Sequence, residues 1–210
     1  MGYSLLQRAE HRWYLTKKRR RLHGDSFSIL SSNCNGAMLL HDLGCRFDTP
    51  TVNLYFLPAD FLRFAADPEK YLSAVPIPAA AEEKDFPVGK IEDIKVYFMH
   101  YTSFEQARDK WVERSQRVDL SRAFWMMTDQ MGCTYEQIGQ FDALPYAHKV
   151  IFTHKPYPEF ASACYMPGFE EKGEVGVLSD WKDGKRKRRY LDDFDAVGFL
   201  NGEDWRKNKP

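Results

Sequence analysis

Ala123-Phe-Trp-Met-Met127, Thr128-Asp-Gln-Met-Gly132, Thr134-Tyr-Glu-Gln137 and Lys149-Val-Ile-Phe-Thr153 follow one another in the second half of the chain. The first and last are short apolar runs with no polar alternation, the pattern of strands buried on both faces. Between them, Thr134 and Gln137 have the spacing of a capping box, which opens a helix running to about residue 143. Strand, helix, strand implies a crossover connection and therefore a parallel pair.

The same alternation extends outward. Residues 95–99 read as a strand, and Ser103 with Gln106 caps a helix over about 103–118. Nearer the N-terminus, residues 27–31 read as a strand that enters a helix over 37–43 through Asn33-Cys-Asn-Gly36. A second strand is expected over 51–55. Pro58 then stands where a helix start tolerates proline, ahead of a helix over 60–66. A polar linker, 79–84, follows Pro76 and Pro78. Downstream come an extended segment at 162–165, a glycine-rich strand near 174–178 and a final helix over 192–200. The expected fold is α/β in three layers, a mainly parallel or mixed sheet with helices on both faces, Rossmann-like. Its expected division is a basic N-terminal helix (1–24), one α/β domain (25–202) and a C-terminal tail (203–210).

Composition narrows the function classes. The 210 residues carry 30 Lys and Arg against 30 Asp and Glu, and 15% are aromatic. That length can bury a sizeable core, and the absence of a basic excess argues against a nucleic-acid partner. No apolar run approaches the roughly 20 residues of a membrane span. The four cysteines have neither CxxC nor zinc-ligand spacing, and the N-terminus lacks a secretory h-region. Reduced thiols in a cytoplasmic protein are expected. The leader has two readings: a peripheral contact with the inner membrane face through residues 4–22, or a solvated extension whose Leu and Trp pack on the domain. There Leu5, Leu6, Ala9, Trp13 and Tyr14 precede the run Lys17-Lys-Arg-Arg-Arg21. A second basic run, 185–189, is followed by Asp192, Asp193 and Asp195, so local neutralisation is expected.

In open parallel sheets ligands bind beyond the carboxyl ends of the strands. Ser32, Asn33, Cys34 and Asn35 follow the first strand, His100 and Tyr101 the third, Asp129 and Gln130 the fourth, His154 and Lys155 the fifth. Cys34 reads either as a thiol activated at a helix start or as a small buried hydrophobe. With His100 as base and Asp129 orienting it, the three form a candidate catalytic set for acyl transfer or hydrolysis. Asn33, Asn35, Tyr101, Arg114, Arg117, His154 and Lys155 are the candidate substrate-binding residues. Arg114 and Arg117 share a helix face, where they either clamp a phosphate or pair with Glu113 and Asp119. Asp193-Phe-Asp195 has an Asp-x-Asp form used for cations, but acidic residues in a first helical turn have a plainer role. Cofactor fingerprints and metal-ligand motifs are absent, so no cofactor and no metal are expected.

Phe27-Ser-Ile-Leu-Ser-Ser-Asn-Cys-Asn-Gly36, His41-Asp-Leu-Gly44, Thr49-Pro-Thr51, Asn53-Leu-Tyr55, Asp129-Gln-Met-Gly-Cys-Thr134, Phe141-Asp-Ala-Leu-Pro145 and Lys155-Pro-Tyr-Pro158 occur in that order. The series resembles the bacterial domain-of-unknown-function family 1919, whose members are often called exopolysaccharide biosynthesis proteins. It covers about residues 26–202. The resemblance implies an α/β fold and a place in exopolysaccharide, capsule or lipopolysaccharide assembly. The expected activity is glycosyl or acyl group transfer to a sugar or nucleotide-sugar precursor. The alternatives are a non-catalytic carbohydrate-binding or assembly module and a cysteine-dependent hydrolase.

Overall fold

The computed structural model describes residues 5–79, 84–182 and 188–206, with side chains from residue 10 onward. Most of the 79–84 linker, positions 185–187 of the second basic run, the end of the C-terminal tail and the side chains of Leu5, Leu6 and Ala9 lie outside the described residues. In chain order the elements are α1 (Leu5–Arg21), β1 (Ile29–Ser31), α2 (Asn35–Leu43), α3 (Pro58–Ala66), α4 (Pro68–Ser73), β2 (Ile77–Pro78), β3 (Val88–Ile91), β4 (Ile94–Tyr97), α5 (Phe104–Ser115), β5 (Phe124–Thr128), α6 (Tyr135–Asp142), β6 (Lys149–Thr153), β7 (Ala163–Tyr165) and α7 (Ala196–Leu200). They form a mixed α/β structure with two sheets.

The larger sheet is parallel throughout, in the order β1-β5-β6-β7. Its strands read as continuous apolar runs because both faces are covered. Ile29, Phe124, Met126, Val150 and Phe152 face one core cluster, completed by α2 and α7. Their neighbours Leu30, Trp125, Met127 and Ile151 face a second, built with α3, α5 and α6. The period-two alternation of strand side chains produces this division. The capping box at the start of α6 is present in both directions, Thr134 and Gln137 each accepting from the other's backbone.

Several expectations are corrected. Residues 51–55 do not form a strand, because Asn53 adopts a left-handed φ of 62° that interrupts extension. This segment instead guards the free edge of β1. The Thr51 hydroxyl accepts from Ser31 N (3.0 Å) and donates to Ile29 O (3.2 Å), doing with one side chain what a strand would do with its backbone. Second, the strand expected over 95–99 is β4, and it lies outside the parallel sheet. It pairs antiparallel with β3 through a two-residue turn at Glu92 and Asp93, and β2 completes a three-stranded sheet. Third, residues 174–178 are irregular, and the final helix is split. Residues 190–193 form a short 3-10 turn, after which Asp195 caps α7 by accepting from Gly198 N.

α1 is docked on the body. Lys18 pairs with Asp192 at 3.6 Å, Arg19 Nε donates to Asp42 O at 2.9 Å, and Arg21 lies 3.7 Å from Asp195. Beneath it, Arg189 bridges the buried carboxylates of Asp42 and Asp192, so the second basic run is neutralised at that residue by the acids nearby. Asp193 and Asp195 are likewise engaged, the first by Lys182 and Arg188, the second by Arg21 and its capping role.

Candidate functional site at the carboxyl edge

β1, β5 and β6 are adjacent and parallel, so the residues that follow them meet at one edge. After β1, the Asn33 side-chain amide donates to Thr128 Oγ1 (3.1 Å) and Gln130 Oε1 (3.0 Å) at the end of β5. Its own oxygen accepts from Asn35 N (3.1 Å), the first residue of α2. Helix α2 can start so close to β1 because position 36 is glycine: a Cβ there would fall 2.8 Å from Ile29 Cγ2 and 2.9 Å from Ser31 Cβ. Gln130 Nε2 then donates to Gly176 O at 3.0 Å. Asn33, Thr128 and Gln130 thus tie two strand ends to the loop around residue 176.

Asp129 lies at the centre of this edge and is 2% exposed. Oδ2 accepts from His154 N (2.8 Å) and lies 2.5 Å from His154 Nδ1, while Oδ1 accepts from Val175 N (2.7 Å). A carboxylate on Nδ1 selects the tautomer with its proton there and leaves the Nε2 lone pair free. Asp129 is therefore paired with His154, one strand over, instead of with His100. The reason is topological: β6 neighbours β5, whereas the strand before His100 belongs to the other sheet. His100 is exposed, and its backbone N–H donates to Asn53 O at 3.3 Å.

The other expected residues divide by position. Lys155 is exposed beside His154, with Nζ 5.4 Å from the Tyr157 ring. Cys34 donates to Leu54 O (3.6 Å) and does not cap α2 with its side chain. Burial pushes its thiol up, against the activation expected from a helix start. Tyr101 and Arg114 form a pair on the β1-edge side: Arg114 Nη1 donates to the Tyr101 hydroxyl (3.0 Å), which donates to Val52 O (3.1 Å). Arg117 pairs with Glu113 and lines a hollow of about 390 Å³ at the opposite end of the strands, with Ser28, Phe124 and His148. The α5 helix carries it there on the way back to the start of β5.

At the carboxyl edge the space is small. The crevice between Asn33, Tyr55, Pro58, Thr128, Gln130 and Met131 measures about 20 Å³, room for about one water. The loop 174–177 closes this side through Val175 and Gly176. Next to it stands an aromatic group that sequence reasoning did not single out. Tyr135, 51% exposed, packs against Tyr157 (centroids 5.8 Å apart) and Phe160 (5.1 Å). The signal was present in Tyr157 between two prolines beside Lys155, but only α6 packing on the β6–β7 connection joins it to Tyr135. Cys133 lies near Asp129, and burial followed by that carboxylate's charge pushes its thiol up to about 12.

The family model described as "Domain of unknown function (DUF1919)" matches residues 6–201. An uncharacterized protein of Haemophilus influenzae is 44% identical over 182 residues, covering 87% of each chain.

Proposed function

The chain belongs to the DUF1919 family, and on that footing we propose that it is a surface-polysaccharide biosynthesis protein, a group transferase acting on a sugar precursor. The observation that carries a catalytic reading is the Asp129–His154 pair. On a three-layer, Rossmann-like reading of the fold, a ligand would approach beyond the parallel strands, where this pair stands. In the proposed step His154 Nε2 takes the proton from an acceptor hydroxyl as that oxygen bonds to the transferred carbon. The leaving group departs with the electron pair of the broken bond, and Lys155 offsets charge on a departing phosphate. Asn33 and Gln130 would bond sugar hydroxyls once loop 174–177 moves aside and releases the Gln130 amide from Gly176 O. Expected localisation is cytoplasmic.

His154→Gln tests this in a strain whose polymer depends on the gene. Loss of polymer is expected from a purified variant that still unfolds cooperatively. Normal polymer from a folded variant refutes the catalytic reading. Nucleotide sugars are also expected to raise the melting temperature of the wild-type chain, since a ligand bound only to the native state stabilises it.

The aromatic group favours a second reading, a non-catalytic carbohydrate-binding or assembly module. Exposed rings such as Tyr135 offer apolar faces to a sugar. This reading expects polymer to survive His154→Gln and to be lost with Tyr135→Ala.

A further inference from the structure

The chain is neutral, with 30 Lys and Arg against 30 Asp and Glu, so a local excess of charge arises only from placement. Helix α1 creates one. Trp13, Lys17 and Arg20 stand at i, i+4 and i+7 and therefore share a face; all three are exposed. Their orientation is fixed by the side of the helix that packs. Leu22, just past its end, reaches the core, Arg19 binds the Asp42 carbonyl, Lys18 pairs with Asp192, and the Tyr14 hydroxyl donates to Asp192 O at 3.4 Å.

Trp13 is 63% exposed, while Trp111, Trp125 and Trp205 are buried. Lys17 Nζ lies 3.6 Å from the centre of its ring. Beside this face runs a groove of about 460 Å³, along which Lys17 and Arg21 meet Arg188 from the far end of the sequence. The acids of the groove are turned inward: Asp192 and Asp195 side chains are 1% and 8% exposed, against 56% for Arg21 and 46% for Arg188. The carboxylates hold the helix in place from below; Arg21 and Arg188, each paired on one side with Asp195 and Asp193, keep about half of their side chains at the surface.

We propose that this composite face docks the protein on an anionic lipid bilayer. α1 lies in the plane of the headgroups, Trp13 enters the boundary between headgroups and acyl chains, and Lys17, Arg20, Arg21 and Arg188 meet lipid phosphates. An indole surrounded by cations fits a bilayer interface better than a soluble polyanion, because its apolar body needs somewhere dry while its N–H stays hydrated. Insertion is superficial: among the described residues no helix is long and apolar enough to cross a membrane. The proposal is independent of His154 chemistry, and its test involves no residue of the carboxyl edge.

The full-length chain is sedimented with vesicles of phosphatidylglycerol and phosphatidylethanolamine, and with vesicles of phosphatidylcholine alone, at low and high salt. Binding to the anionic vesicles only, weakened by salt, is expected, together with a blue shift of tryptophan emission. Trp13→Phe removes the shift. Lys17→Gln, Arg20→Gln and Arg188→Gln each weaken partitioning roughly fivefold, with unchanged circular dichroism and melting temperature. The Arg188 effect separates a composite face from a helix acting alone. Equal binding to both vesicle types, no binding to either, or binding indifferent to these substitutions overturns the proposal. So does tighter binding to linear polyphosphate or an oligonucleotide than to the anionic vesicles.

Discussion

Asp129→Asn changes one buried atom from acceptor to donor. Three N–H groups converge on the two carboxylate oxygens, from His154 backbone and ring and from Val175 backbone. An asparagine has a single acceptor oxygen. Placed at Oδ2, it keeps both His154 contacts and turns its NH2 toward Val175 N–H, two donors facing each other. Placed at Oδ1, it keeps Val175, sets its NH2 against the His154 backbone N–H, and bonds the ring only if the ring proton moves from Nδ1 to Nε2. The first arrangement costs less, and it leaves a backbone donor unsatisfied at Val175, a residue 0% exposed. An unsatisfied buried donor costs about 1–3 kcal/mol. The remaining bonds also lose their charge assistance, which roughly halves their strength. The expected destabilisation is about 2–4 kcal/mol. Urea unfolding measures it, and hydrogen exchange locates it: the Val175 amide should exchange much faster in the variant, ahead of global unfolding. A variant within about 0.5 kcal/mol of wild type, the range of ordinary surface substitutions, with Val175 still protected, would refute the assignment of Asp129 as the tie between strand ends and loop.

Arg189→Ala leaves Asp42 and Asp192 buried without their shared cation, and should cost about 3–5 kcal/mol in urea unfolding. The same region should respond to acid in two stages, read as exchange of α1 amides. Burial, then the charge of Arg189, holds the His11 imidazole below its ordinary value; its contribution is complete above about 6.5 and is lost as pH falls through the lower folded value. Burial opposes ionisation of Asp192 as well, but its bond and charge interaction with Arg189 outweigh this and hold it low. That stabilisation is present above about 3.9 and disappears as pH falls through the folded value. Cys34 and Cys133 should react slowly with iodoacetamide at neutral pH and faster as pH rises, since burial favours the thiol at both; rapid stoichiometric labelling of Cys34 would contradict its surroundings. Gly176→Ala places a Cβ 2.5 Å from Cε1 of buried Phe169, and thermal melts should show a loss of about 1–3 kcal/mol.

The β5-α6-β6 unit was legible because everything that makes it is local: two apolar runs, a capping box and a short crossover. The second sheet was not, since Val88-Gly-Lys-Ile91 is short and interrupted by glycine, and its partner β4 looks the same whichever sheet it joins. The site inherited that ambiguity. His100 and His154 each follow an apolar run, and only strand order places one beside Asp129 and the other beyond reach of it. The strand-end rule brings Asn33, Asp129, His154 and Lys155 to one edge because their strands belong to the parallel sheet. Val175 and Gly176 join the site through backbone groups, which carry no residue-specific signal. Thr51 was misread because its side chain replaces the backbone pairing that a strand would make.

The proposed chemistry needs the ring of His154 held by Asp129 with Nε2 free. Nitrogen-15 NMR of the histidine rings in the full-length chain, at alkaline pH where imidazole is neutral, measures this directly. One ring, assigned by its absence in His154→Gln, should carry its proton on Nδ1 and shift in Asp129→Asn. A His154 ring protonated on Nε2, or one indifferent to Asp129→Asn, would contradict the account.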